Sequence, residues 1–142
     1  LDADLEASAE HWPQLVAPLL AGEADLVVGV LPPMAGGGFG LVRRLAGLGT
    51  RLLTGKRLQA PLSGQRALTR AAWERIGDLD PGWGAEVGMT IDALRAGLRV
   101  VEVPVAMRHR PTGRGLAGFR HRGRQLRHVL GALCRRMHPP QP

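Results

Sequence analysis

The chain has 142 residues, 44% hydrophobic and 22% charged, with a formal net charge of +7. This suits one folded domain with a real core and leaves no apolar run of about 18 residues that could serve as a transmembrane helix. A single cysteine, Cys134, excludes an internal disulfide framework and a multi-thiolate zinc site, and favours a reduced, cytoplasmic setting.

In chain order, Leu1-Asp2-Ala3-Asp4-Leu5-Glu6 comes first and reads as an Asp-x-Asp turn closing a strand. In extended chain, side chains at i and i+2 point the same way, so Asp2 and Asp4 can face one ligand. Mg²⁺ or Mn²⁺ is the cation expected there, because hard ions take carboxylate oxygens and share them with a substrate diphosphate. A surface pair in a turn is the plain alternative. Pro13 opens a short amphipathic helix over Leu15, Val16, Leu19 and Leu20, with Pro18 expected to kink or shorten it. Ala24 to Val30 is an apolar, β-branched run that reads as a buried parallel strand.

Leu31 to Gly40 contains Pro32-Pro33 and Gly36-Gly37-Gly38, the composition of a mobile loop. A helix follows from Phe39 to Thr54, with Leu41, Leu45, Leu48 and Leu52 along one side. Gln65 to Leu68 reads as a short strand, Thr69 starts a brief helix, and Asp80 to Gly84 makes a turn. Glu86 to Ala96 reads as a helix stopped by Gly97, and Leu98 to Val105 as a strand whose Pro104 marks an edge or an end. Leu116 to Arg136 reads as a basic amphipathic helix carrying Leu116, Phe119, Leu126, Val129 (or Leu130) and Leu133 on one side. A disordered tail follows.

Charge is uneven along this order. Residues 1–100 carry 10 basic against 11 acidic side chains, whereas 101–142 carry 9 arginines against Glu102 alone. A basic arm of this kind points to an anionic partner. The final helix has three readings, ranked as packing on the body with arginines in water, contact with an anionic membrane surface, and nucleic-acid binding.

Several stretches together resemble the family 2 glycosyltransferases, which have the GT-A nucleotide-sugar fold. Leu1–Glu6 resembles their Asp-x-Asp segment. Leu52-Leu53-Thr54-Gly55 followed by Pro61-Leu62-Ser63-Gly64-Gln65-Arg66-Ala67-Leu68 is similar to the polyprenyl-phosphate mannose and glucose synthases, with Gln65 where those carry an aromatic residue. Gly82-Trp83-Gly84-Ala85-Glu86-Val87-Gly88 and Val101-Glu102-Val103-Pro104-Val105 resemble the family's helix and following strand. Arg108-His109-Arg110-Pro111-Thr112-Gly113-Arg114 resembles the late loop of bacterial glucosyl-3-phosphoglycerate synthases.

The resemblance implies an α/β fold, the C-terminal portion of a GT-A domain. Residues 1–114 would form the metal, diphosphate and acceptor side, 115–136 the basic helix and 137–142 the tail. It implies metal-dependent transfer of a sugar from a nucleoside-diphosphate sugar to a hydroxyl or phosphate acceptor. Asp2, Asp4 and His109 would hold Mg²⁺ or Mn²⁺. Glu86 is the catalytic candidate, as an acid that orients hydroxyls, and its alternative is a helix-dipole role. Trp83 would stack on a sugar or fill the core. Gly64, Gln65, Arg66, Arg108, Arg110, Thr112 and Arg114 would bind substrate, glycines by backbone N–H and arginines by bidentate contact with phosphate.

The half of the family domain that binds the nucleoside is not in this sequence. The expectation is therefore a chain inactive by itself, one that forms a homo-oligomer or associates with an N-terminal segment, with peripheral contact at the inner face of a membrane. The competing reading is a non-catalytic module whose basic arm binds an anionic membrane surface or nucleic acid.

Overall fold

A computed structural model describes residues 6–32, 40–107 and 116–137. The Asp-x-Asp segment, the glycine cluster, the loop from Arg108 to Gly115 and the tail after Met137 lie outside the described residues.

A 3-10 turn, Glu6–His11, leads into α1, Pro13–Leu20. Pro18 lies inside α1 without ending it, and its carbonyl accepts the backbone N–H groups of Glu23 and Ala24 at 2.9 and 3.2 Å. Next come β1 (Leu26–Val30), α2 (Gly40–Thr54), β2 (Arg66–Leu68) and α3 (Arg70–Ile76). The chain continues with α4 (Gly84–Arg95), β3 (Val100–Pro104) and α5 (Leu116–Met137). Thr69 caps α3, its hydroxyl accepting the Ala72 N–H at 3.1 Å, which satisfies one of the donors a helix start leaves open. Gly97, at φ 72°, follows α4 and takes the left-handed turn that leads into β3.

The sheet has three strands in the order β2-β1-β3. β1 is central, parallel to β3 (Leu26 opposite Val100) and antiparallel to β2 (Leu26 opposite Leu68). The expected parallel strand is thus parallel on one side only. Period-2 alternation sends its side chains to two separate cores. Leu26 and Val28 join Ala72, Ile76, Ala93 and Leu98 beneath α3 and α4, while Val27 joins Leu15, Ala24, Val105 and Met107 beneath α1. Burial on both faces explains why β1 reads as a continuous apolar run. Pro104 ends β3, on the sheet's edge among the described residues, where a missing N–H is tolerated.

A third core, Val42, Ala46, Val87, Ile91, Val129 and Leu133, joins α2, α4 and α5. Of the expected apolar side of α2, Leu45 packs against this core, partly buried, and the other three leucines do not. Leu41, Leu48 and Leu52 are exposed by 73, 55 and 76%, and the buried face carries Val42, Ala46 and Thr50 instead. The reason is close approach: a Cβ on Gly49 would meet Leu133 Cδ2 of α5 at 2.5 Å, so small residues face the partner helix. The same contact settles the choice on α5, where Val129 is fully buried and Leu130 is 41% exposed.

Glycines also set the α4–α5 contact. A Cβ on Gly84 would meet the His128 carbonyl at 3.0 Å, and one on Gly88 would run into Asp80 and Arg136. Asp80, with its side chain 4% exposed, accepts from Arg135 and Arg136, and Arg136 reaches on to Asp92. Two of the arginines in the basic helix are therefore bound inward, to α4 and the turn before it.

Candidate functional site

β2 and the first turns of α4 carry the candidate residues that the structure describes. The segment Ser63-Gly64-Gln65 enters β2 beside β1, with Gly29 N donating to the Gln65 carbonyl at 2.7 Å. The Gln65 side chain is fully buried, on the face shared with Leu15 and Val105. Arg66 follows with its side chain on the opposite face. Its Nε donates to the Ser63 carbonyl at 2.7 Å, one terminal nitrogen to Thr90 Oγ1 at 2.7 Å and the other to the Pro61 carbonyl at 3.2 Å.

Arg66 is thus a bracket. It closes the Pro61–Gly64 turn on itself and ties it to the second turn of α4. Burial pushes its guanidinium down to about 10, and the carboxylates of Glu86 and Glu102 oppose that shift. The group stays charged at neutral pH, held by carbonyls that cannot follow it into water.

Glu86 lies in the first turn of α4, where the N-terminal dipole favours a carboxylate. Thr90, one turn later, donates its hydroxyl to the Glu86 carbonyl at 2.8 Å. A continuous chain therefore runs from Arg66 through Thr90 to the Glu86 backbone. Trp83 is at the N-cap position of α4 and is partly buried, its ring stacked on His128 of α5 with centroids 5.6 Å apart and planes 28° apart. α5 thus supports one side of the Trp83 ring.

The structure brings Gly64, Arg66 and Glu86 together and puts Trp83 three residues before Glu86 on the same helix start. Asp2, Asp4, Arg108, His109, Arg110, Thr112 and Arg114 lie outside the described residues. Among the described residues, no group of three or more His, Cys, Asp or Glu side chains is placed to hold a metal ion. Sequence reasoning passed over Thr90 and His128. Thr90 had a signal, since Glu86 and Thr90 stand at i and i+4 on one helix face. His128 had none, because its contact with Trp83 depends on how α5 crosses α4.

Glu102 of β3 has a further role. Its carboxylate accepts the Gln59 N–H at 2.9 Å and the Ala60 N–H at 2.7 Å, fixing the segment that leads to Pro61 and Gly64.

No protein-family model and no curated protein sequence matches the chain. Solved structures do. Glucosyl-3-phosphoglycerate synthase from Mycobacterium tuberculosis, in complex with phosphoglyceric acid, matches with a TM-score of 0.75 and 31% identity over 99% of this chain and 49% of that one. The same enzyme with Mg²⁺ and uridine diphosphate matches with a TM-score of 0.68 and 28% identity, over 91% of this chain and 44% of that one. With Mn²⁺, UDP-glucose and phosphoglyceric acid, the values are 0.61 and 30%, over 91% and 45%. The chain spans about half the length of these neighbours. Its fold is that of part of a GT-A-type, family 2 glycosyltransferase domain, with glucosyl-3-phosphoglycerate synthases as structural neighbours.

Proposed function

We propose that this chain serves a metal-dependent glycosyltransferase that moves a sugar, glucose by analogy, from a nucleoside-diphosphate sugar to a small anionic acceptor. The observation that carries the reading is the match over 99% of the chain, at 31% identity, to an enzyme whose structures hold phosphoglyceric acid and, in other complexes, UDP-glucose with Mn²⁺. Within this chain, the bracketed turn and the start of α4 hold Gly64, Arg66 and Glu86 near one another.

In this reading the bond from the sugar's anomeric carbon to the diphosphate oxygen breaks, and a bond to an acceptor oxygen forms. Glu86, in the first turn of α4, accepts hydrogen bonds from sugar or acceptor hydroxyls. Trp83 offers an aromatic face to the sugar. Gly64, with no side chain, allows close approach of the donor to the backbone of the turn. Arg66 does not reach for phosphate; it holds the turn that does. Arg108, Arg110, Thr112 and Arg114 supply the positive charge and hydroxyl that suit an anionic acceptor.

Carboxylates from Asp2 and Asp4 with the His109 imidazole form a donor set suited to Mn²⁺ or Mg²⁺. When bound, the ion offsets negative charge on the departing diphosphate.

The test is calorimetric titration of UDP-glucose with and without Mn²⁺, on this chain and on the full-length gene product, each as wild type and as Asp4→Ala, followed by mass analysis of the full-length enzyme's product with phosphoglyceric acid as acceptor. Mn²⁺-dependent binding that disappears in Asp4→Ala is the expected result. Binding indifferent to both metal and substitution would reject the metal-site assignment, and no metal-dependent binding by either this chain or the full-length gene product would reject the transferase reading.

A further inference from the structure

Adjoining the bracketed turn at Pro61, α2 and the segment from Arg57 to Pro61 flank an open cleft of about 530 Å³. Arg43, Arg44 and Arg51 line it from the helix, and Arg57, Gln59 and Pro61 from the segment. Positions 43, 47 and 51 fall on one ridge of the helix, with 44 beside it. Gly47 stands at the middle of that ridge, and a Cβ there would lie 3.9 Å from Pro61 Cγ and 4.0 Å from the Leu58 carbonyl. Helix and segment therefore meet at Gly47, and the guanidinium groups flank the meeting point.

Three further facts give this cleft a ligand chemistry. No acidic side chain lines it. Among the described residues, Arg43, Arg44, Arg51 and Arg57 bind no acceptor on the protein, whereas Arg70, Arg99, Arg135 and Arg136 pair with carboxylates and Arg66, Arg75 and Arg95 with carbonyls. The wall is also fixed in advance, because Glu102 holds the Gln59 and Ala60 amides and its own charge is engaged there. Four like charges gathered on a concave surface repel one another until an anion joins them, and the guanidinium fork suits phosphate oxygens. The volume falls in the ordinary range for small-ligand pockets, about 300–1,000 Å³.

We propose that this cleft binds a phosphate-bearing anion, at a site that meets the bracketed turn only at Pro61 and is lined by none of Gly64, Arg66, Trp83 and Glu86. The phosphate is that of a small ester or of a lipid headgroup. Leu48, exposed on the same rim, gives the body of either molecule an apolar surface to rest on.

The experiment uses the whole 142-residue chain in EDTA, so that no divalent ion can carry a diphosphate to the candidate metal site. Inorganic pyrophosphate is titrated calorimetrically, and vesicles of phosphatidic acid in phosphatidylcholine are tested by co-sedimentation. The expected result is saturable binding that weakens at least about tenfold in the double variant Arg43→Gln, Arg51→Gln, in line with the loss of two charge-assisted contacts. Arg70→Gln, whose side chain is exposed on α3 and paired with Glu74, leaves binding unchanged. Vesicle binding with the same arginine dependence assigns the headgroup as the source; pyrophosphate binding without vesicle binding assigns a free phosphate ester. Failure of both probes to bind saturably, or undiminished binding by a double variant that melts like the wild type, would overturn the proposal.

Discussion

Arg66 donates to Thr90 Oγ1 at 2.7 Å, and through that bond the turn entering β2 is tied to the helix that carries Glu86. The bond crosses from the edge of a sheet to the face of a helix. It makes the position of Glu86 relative to Gly64 a property of the core rather than of a loop.

Thr90→Val tests this tie. Valine keeps the shape but leaves the buried guanidinium short of one acceptor, and the expected cost is about 1–3 kcal/mol. Denaturant melts of Thr90→Val, Arg66→Met and the double variant check it. The double variant is expected to lose less than the sum of the singles, because the pair acts as one unit.

Close packing of α4 on α5 predicts opposite effects for two glycines. Gly88→Ala drives a methyl into Asp80 and Arg136, which hold an ion pair with little room, and is expected to cost about 1–3 kcal/mol. At Gly131 of α5 the added Cβ meets only the far end of Arg135, at 3.6 Å. Gly131→Ala is expected to stabilise the chain by up to about 1 kcal/mol through helix propensity. Thermal melts of both variants decide the matter.

Asp25 and Arg99 predict an acid-sensitive join. The Arg99 side chain and backbone N–H groups hold the Asp25 carboxyl at about 2, below its ordinary 3.8. A carboxyl whose pKa is lower in the folded state stabilises the fold fully above the unfolded value, and that stability fades as pH falls through the folded one. Wild-type melting temperature is expected to drop between pH 4 and pH 2, a window set by those values. Asp25→Asn is expected to start lower at neutral pH and to show a smaller drop over the same window.

His128 is expected to act on sugar affinity through Trp83. His128→Ala removes the ring that backs Trp83, for a stability loss of about 0.5–1.5 kcal/mol. If Trp83 faces the sugar, UDP-glucose affinity falls while UDP affinity holds. Equal weakening of both ligands would instead assign Trp83 a purely structural place.

The sequence by itself determined the order and nature of the elements, because each carries a local signal. The apolar run of β1, the Thr69 cap, the Gly97 stop and Pro104 at the end of β3 depend on backbone chemistry within a few residues. Its resemblance to the family 2 glycosyltransferases was also legible, carried by the residues of the Pro61–Leu68 and Gly82–Gly88 stretches. Tertiary structure alone decided which face of α2 is buried. Leu41, Leu48 and Leu52 lie along the more apolar stripe, yet the helix turns Val42, Ala46 and Gly49 inward, since at Gly49 Leu133 of α5 leaves no room for a side chain. It also decided that Arg66 braces a turn while Arg43, Arg44, Arg51 and Arg57 remain open to an anion. An arginine's role follows from which acceptors the fold brings within about 3 Å of it, and acceptors that meet across a sheet and a helix have no fixed spacing in sequence.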